Sequence, residues 1–520
     1  MTRFSTVLFL LFLNFFFSEL KGQTTVPEII YHVCQRSFYD SDGDLHGDLK
    51  GLEKHLNYLQ DLGITSILLL PLYHSVYYHN YFPIDFEKID PEFGTEADFV
   101  HLVQEVHRRN MKIYMDMESQ YITEDHIWWK DSYGNPQSQY SNYLIYNGPD
   151  NTNPESIIFD LHSLEGYDGT SRQITTINLH NEDAKKYIYD LYKYWLDPNR
   201  DGDFSDGVDG YRIDHMMDDL DWKGKLTGLL VNFWRPLFNE LRNINPDVKI
   251  MGEQADWSAY GREYFESSGI DRLFDFGIKF GISSFDKEII KQKIDSTLLE
   301  TPDSKNQLIF IENHDTQRFA NDCDSDPAKL KIGATLNIML PGIPVIYYGQ
   351  EIGMRGVGGF GAFGNTDGND IPRREAFEWT TTIDQPGMAL WYKDSGPWWE
   401  ARNIRDNDGI SVEEQKGNTH SLWNFYKKLI SLRKEYVALC DGNILFIENR
   451  NANVFSFFRT TTDEKILVNI NLSSQKQKLE YEFLKSGINA KLLLDQNGLA
   501  ANFDDSSINL VPYGIQIIKF

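Results

Sequence analysis

The sequence predicts an α/β protein: a (β/α)8 TIM barrel carrying a small inserted domain after its third strand and a C-terminal antiparallel β-sandwich domain. Three observations support that expectation. Short apolar runs alternate with helical patterns over most of the chain, the signature of βα units on a parallel sheet. Four of these runs, KIYMDMES (112–119), VDGYRID (208–214), VKIMGE (248–253) and LIFIENHD (308–315), carry a carboxylate at the end of the strand-like stretch: Asp116, Asp214, Glu253 and Asp315. In a closed barrel such strand ends lie on the catalytic face. Towards the C-terminus the pattern changes to short alternating runs, VFSFF, KILVNINL, KLLLD and GIQIIKF, which read as antiparallel strands.

The elements follow in order. Residues 1–22 read as a signal peptide, with Arg3 as the positive charge, VLFLLFLNFFF (7–17) as the apolar region and Gly22 near the cleavage point. The mature chain is then expected to start near Gln23 and to be exported, periplasmic or secreted. The apolar run falls short of the about 20 residues of a membrane span, and no cysteine follows it, so no stable membrane anchor is expected. EIIYHVC (28–34) is the first strand, 49–63 its helix, ITSILLLP (64–71) the second strand and 96–110 the next helix. The third strand ends at Asp116. The polar, aromatic stretch from 118 to 180 exceeds an ordinary βα loop and reads as an inserted domain. The helical period restarts at 182–197; strands four and five end at Asp214 and Glu253, and LFDFG (273–277), LIFIE (308–312) and IPVIYYG (343–349) supply strands six to eight. A long loop (350–415) and a final helix (420–436) close the barrel. The expected division is therefore 23–117 with 181–438 for the barrel, 118–180 for the insert and 439–520 for the β domain.

Composition narrows the partners. A chain of 520 residues holds a barrel of about 250 residues and smaller domains besides. A net charge of -27 repels nucleic acid and anionic membranes, so neither is expected to bind. Three cysteines, Cys34, Cys323 and Cys440, allow at most one disulfide. Aromatic residues make up 14% of the chain. Those of the insert (Trp128, Trp129, Tyr133, Tyr140, Tyr143) and of the later loop (Trp391, Trp398, Trp399) either line a cleft for a sugar polymer or pack the inserts.

The carboxylates have distinguishable surroundings. Strand alternation puts Gly210, Arg212 and Asp214 on one face, and a guanidinium beside Asp214 favours its ionised, nucleophilic form. The same pattern also fits a structural ion pair inside a barrel. Glu253 closes an apolar run, and apolar surroundings favour the protonated form that a general acid needs. Asn313, His314 and Asp315 add two hydrogen-bonding groups and a third carboxylate. Retaining glycosidases use one ionised and one protonated carboxyl about 5 to 5.5 Å apart, and strand ends converging on one face meet that requirement.

DSDGDLHGD (40–48) sets Asp40, Asp42, Asp44 and Asp48 at alternating positions, with the backbone carbonyl of His46 as a further oxygen. Such an oxygen-rich loop suits Ca2+. It lacks the sixth-position Gly (Leu45) and the twelfth-position Glu (Gly51) of a helix-loop-helix calcium site. Either a structural Ca2+ or a solvated acidic turn accounts for it, and the cation relieves the mutual repulsion.

The four carboxylate-bearing runs, in their order and spacing, resemble the signature regions of the α-amylase family, glycoside hydrolase family 13. The resemblance begins at IIYHVCQRSFYDSDGDLHGDLKGL (29–52) and spans most of the chain. It implies Asp214 as nucleophile, Glu253 as acid/base and Asp315 as transition-state stabiliser. It further implies substrate contacts by Tyr81, Asp116, Arg212 and His314, with Tyr81 as the stacking tyrosine, and a structural calcium in the 40–48 loop. Departures accompany it: Gln120 and Tyr121 stand where the family usually has Asn-His, Met217 and Asp218 where α-amylases have Lys-His, and His215 follows the nucleophile. The first of these puts the family's second calcium site in question and marks where substrate choice is expected to differ.

Two function classes follow. One is a retaining enzyme cleaving α-glucosidic bonds, first an α-amylase-like endo-hydrolase of starch or maltooligosaccharides. An exo-acting α-glucosidase or a transglycosylase or isomerase of the trehalose-forming type is the alternative within that class, since IPRREAFEW (371–379) also resembles that branch. The other class is a non-catalytic relative on the same fold. The joint presence of Asp214, Glu253, Asp315, Arg212 and His314 favours the enzyme.

Overall fold

The structure, a computed structural model, describes residues 27–359, 361–481, 483, 490–496 and 507–520. The segment read as a signal peptide lies outside them. Eight parallel strands close into a barrel: β1 (Ile30–Val33), β2 (Ser66–Leu69), β3 (Lys112–Met117), β4 (Gly210–Met216), β5 (Lys249–Gln254), β6 (Arg272–Phe274), β7 (Asn306–Ile309) and β8 (Ile343–Tyr347). Each pairs with its neighbours in sequence order, and β8 returns to β1 with Ile30 opposite Val345. Alternation along the strands divides their side chains into two layers. Ile30, Leu68, Tyr114, Met251, Phe274, Leu308 and Val345 fill the barrel interior, while the other face packs against the helices.

Local sequence explains the details that matter for the site. Gly210 opens β4 against the Lys249 carbonyl, where a Cβ would lie 1.8 Å from the oxygen. The helix expected over 49–63 is broken at His55 into Leu49–Lys54 and Leu56–Leu62. The His55 ring bonds back to the Gly51 carbonyl at 2.9 Å and stacks obliquely between Tyr39 and Trp379, so ring packing overrides helix continuity. Helix 182–196 is capped by Asn181, and helix 422–435 by Ser421.

Two excursions build the rim of the barrel. After β2 the antiparallel pair Tyr73–Ser75 and Pro83–Ile89 holds the turn that carries His79 and Tyr81. After β3, strands Tyr121–Thr123, Ser163–Glu165 and Ser171–Thr176 form a three-stranded antiparallel sheet. The loop after β8 contains a short 3-10 helix, Asp367–Arg373, whose last turn reaches the barrel mouth.

The C-terminal region is antiparallel throughout. Strands β9 (Asn443–Phe446), β10 (Val454–Thr460), β11 (Lys465–Asn471), β12 (Gln477–Glu480), β13 (Lys491–Asp495), β14 (Ser507–Leu510) and β15 (Ile515–Lys519) make a five-stranded sheet, β9-β10-β11-β15-β13, and a two-stranded one, β12-β14. Phe458, Leu467 and Ile518 of the larger sheet bury against Leu479, Ile508 and Leu510 of the smaller. The three cysteines are free. Among the described residues no helix is long and apolar enough to cross a membrane.

Candidate active site

The site is organised around one buried cation. Asp116 pairs in register with Arg212, as does Met251 on the other side, so three adjacent strands bring their ends together. Arg212 is 1% exposed. Its Nη1 contacts Asp116 Oδ2 at 2.6 Å and Asp214 Oδ1 at 2.5 Å, and its Nη2 contacts Glu253 Oε2 at 2.6 Å. One guanidinium cannot balance three buried negative charges, and the carboxyls respond. Burial pushes Glu253 up to about 8 and Asp116 up to about 7, with Arg212 opposing in both cases.

A bulge aims the end of β4. Gly252 pairs with Ile213, but Gln254 pairs with Met216, so β4 holds one residue more than β5 between these pairs. His215, inside the bulge, has φ of 47°, a left-handed conformation rare outside glycine. Such irregularities redirect side chains beside functional sites, and Asp214 and His215 both face the cavity here.

Asp315 stands across the cavity from these strands. His314 Nε2 lies 2.9 Å from its Oδ2 and Arg374 Nη2 lies 3.2 Å from its Oδ1, while Arg373 donates to its backbone carbonyl. Burial opposes the charge on Asp315, but His314, Arg374 and Arg212 override it and hold the carboxyl well below the usual range. Tyr81 donates its hydroxyl to Asp116 Oδ2 at 2.8 Å and stacks on the His314 ring, with centroids 5.5 Å apart.

Above these groups opens a cavity of about 820 Å3, of the size that takes a small oligosaccharide. Tyr81, Asp214, Glu253, His314 and Asp315 line it. Asp116 and Arg212, expected to touch substrate, do not line it: they lie beneath its floor and hold the residues that do. Of the two readings open for the aromatic residues singled out in sequence, packing holds for the tryptophans. Trp128, Trp129, Trp391, Trp398 and Trp399 are buried, and none of the eight faces the cavity. Phe82, Tyr121, Phe159, Trp222 and Trp257 face it in their place.

The departures from the expected pattern find distinct roles. Gln120 is buried and donates from Nε2 to the Asp214 backbone carbonyl at 3.0 Å. Tyr121 gives its hydroxyl to Asp221. Met217 is core, and Asp218 accepts the Leu230 N–H at 2.9 Å; neither reaches the cavity. Sequence reasoning passed over two further buried carboxyls there. Glu118 lies two residues beyond Asp116 on β3's continuation, a spacing that alternation places on one face. Asp367 has both carboxyl oxygens without a hydrogen-bond partner and is pushed up to about 8 by burial. No local pattern announces it.

The acidic loop is only partly gathered. Asp40, Asp42 and Asp48 each offer a carboxylate oxygen, all within 4.8 Å of one another. Asp44 lies outside that group: it is half exposed and accepts the His46 N–H at 2.8 Å. Leu45 stands at the position of the missing glycine in the left-handed conformation, φ 76°. The His46 ring lies towards Glu92 and Asp44, leaving only its backbone oxygen for a cation. Among the described residues no Lys or Arg side chain pairs with Asp40, Asp42 or Asp48. These are hard oxygens of the kind Ca2+ takes, and those of Asp40 and Asp48 also accept backbone N–H groups of the loop.

Comparison with known proteins agrees with this geometry. The alpha amylase catalytic-domain family matches residues 32–442, and the maltogenic amylase C-terminal domain matches 444–517. The chain is 28% identical to alpha-amylase 3 of Dictyoglomus thermophilum over 99% of its own length and 98% of the relative's. It is 27% identical to an oligo-1,6-glucosidase of Heyndrickxia coagulans over 93% and 97%. The crystal structure of an alpha-amylase from H. orenii superposes with a TM-score of 0.77 at 25% identity, covering 95% of this chain and 99% of that one.

Proposed function

The chain belongs to the α-amylase family, and from that membership we propose a division of labour for its site in the hydrolysis of α-glucosidic bonds. The enzyme is a glycoside hydrolase. Asp214 attacks the anomeric carbon while Glu253 protonates the departing glycosidic oxygen, leaving a β-linked glycosyl-aspartate and a free sugar. Glu253, now a carboxylate, takes a proton from water, whose oxygen attacks the anomeric carbon and releases Asp214. Asp315, held ionised by Arg374 and His314, accepts hydroxyls of the flattened sugar ring. The supporting observation is the Arg212 guanidinium, which holds Asp214 and Glu253 on its two terminal nitrogens at 2.5 and 2.6 Å. Retaining enzymes use two such neighbouring carboxyls, one ionised and one protonated.

We assign starch or maltooligosaccharides as substrate, with endo action. Phe159 and Trp222, 69% and 58% exposed, line the cavity, and exposed aromatic faces suit glucose units beyond the cleavage point. A second reading, exo action or transfer to a sugar acceptor, draws support from Asp367, Asp370, Arg373 and Arg374, which crowd the same cavity from the loop after β8. Asp40, Asp42 and Asp48 would hold a structural Ca2+ far in sequence from the chemistry, and the apolar N-terminal run supports export. Turnover of an aryl α-maltooligoside by wild type and its loss in Asp214→Asn tests the mechanism. Chromatography of early products from amylose, pullulan, maltotriose and trehalose decides between the readings: endo action requires maltose and longer fragments at the first time points.

A further inference from the structure

Glu118 is a fully buried carboxyl that lines the same cavity as Asp214, close enough to it for a side-chain hydrogen bond between the two carboxyls. Two carboxyl groups make such a bond only when one of them carries a proton. The surroundings say which. Asp214 has the Arg212 guanidinium at 2.5 Å, whereas among the described residues no Lys, Arg or His pairs with Glu118. The phenols of Tyr73, Tyr121 and Tyr192 feel its charge, and the amide of Gln120 donates to it. Its Oε1 accepts the backbone N–H groups of Gln120 and Tyr121, which fixes the carboxyl in place. Gln120 ties the arrangement together, since its Nε2 lies 3.3 Å from Glu118 Oε2 and 3.0 Å from the Asp214 carbonyl oxygen.

We propose that Glu118 is a positioning residue for the nucleophile, a carboxylic acid that donates its O–H to the Asp214 carboxylate and thereby sets that group's direction and leaving ability. Burial, reinforced by the charge on Asp214, raises the Glu118 carboxyl well above its ordinary range, which agrees with a proton retained there at neutral pH. The bond acts oppositely on the two halves of the reaction. It withdraws charge from Asp214, which slows attack slightly, and it stabilises the carboxylate released when water cleaves the glycosyl ester. Gln120 and Glu118 thus form one device, and the departure from the family pattern at residue 120 serves the nucleophile rather than a metal.

This inference rests on the proposed role of Asp214, and the test separates the two. Steady-state kinetics on α-maltosyl fluoride, intact-mass spectrometry during turnover and melting temperatures are measured for wild type, Glu118→Leu, Glu118→Gln and Asp214→Asn. Glu118→Leu is expected to lower kcat roughly ten- to hundredfold, the effect of losing one charge-assisted hydrogen bond. KM falls with it, and a maltosyl adduct accumulates because ester cleavage has become slow. Glu118→Gln, whose amide still donates, keeps kcat within about threefold. An unchanged kcat in Glu118→Leu, or a Glu118→Gln as impaired as Glu118→Leu without an adduct, overturns the proposal. Infrared difference spectra of wild type minus Glu118→Gln, taken without substrate, decide the proton independently: a carboxylic-acid carbonyl band supports the proposal and a carboxylate band overturns it. Failure of wild type to act on any α-glucosidic substrate overturns the role of Asp214, while the infrared result still stands.

Discussion

Replacing Glu253 by Gln removes one titrating proton from the cavity floor and nearly preserves its shape. In the folded protein burial shifts this carboxyl from 4.5 up to about 8. The unfolded chain therefore releases the proton near pH 4.5 and the folded protein only near pH 8. Between those values the folded state holds the extra proton, so stability is fully present below pH 4.5 and is lost as pH rises through the window. The loss is about 1.4 kcal/mol for each pH unit, about 5 kcal/mol over the whole window. Glu253→Gln escapes it. Its stability relative to wild type is expected to climb with that slope from pH 4.5 to 8 and to be level on either side, read by urea unfolding in half-unit pH steps. Activity moves the other way: kcat on an unactivated maltooligosaccharide falls by about 10^2 to 10^4, the usual contribution of a general acid, and much less on an aryl glycoside whose leaving group needs no proton. A stability difference independent of pH, or an equal loss on both substrates, refutes the assignment of Glu253 as the buried acid.

Three further outcomes are expected. Asp367→Ala, which removes a carboxyl whose two oxygens have no hydrogen-bond partner from the cavity wall, should raise KM for maltooligosaccharides about tenfold with a smaller change in kcat; an unchanged KM means that no sugar hydroxyl reaches it. Trp222→Ala should raise KM severalfold for amylose and leave that of a short aryl maltoside alone, by loss of one aromatic contact, whereas equal effects on both would place Trp222 outside the binding path. A chelator should lower the melting temperature of wild type and Ca2+ restore it, since a ligand at a hundred times its Kd stabilises by about 2.7 kcal/mol. Asp42→Ala should abolish that difference without changing kcat; superimposable melting curves with and without Ca2+ remove the metal from the 40–48 loop.

Much of the site was legible because its residues sit where strand periodicity is strongest. Asp116, Arg212, Asp214 and Glu253 lie in or end short apolar runs, and a parallel barrel brings such ends to one rim. The eight barrel strands were readable for the same reason. Strands Asn443–Phe446, Gln477–Glu480 and Ser507–Leu510 were not, being short, partly polar edges whose apolar residues bury only against another sheet. For tryptophans 128, 129, 391, 398 and 399 the sequence left cleft and packing open, because an indole packs a loop as readily as it faces a sugar, and burial decides for packing.

What the amino-acid sequence determined by itself is the order of strands and helices and the chemistry carried at the strand ends, since both depend on neighbours within a few residues. The tertiary structure alone decided three things. It put Asp116 and Arg212 beneath the cavity rather than in its wall, shifted the β4 register so that Asp214 and His215 face inward, and brought Glu118 against Asp214 and Asp367 to the far rim. Each depends on which distant backbone lies opposite a residue, and on how many charges one buried guanidinium must share. Contacts of that kind arise from barrel closure, and no window of local sequence contains them.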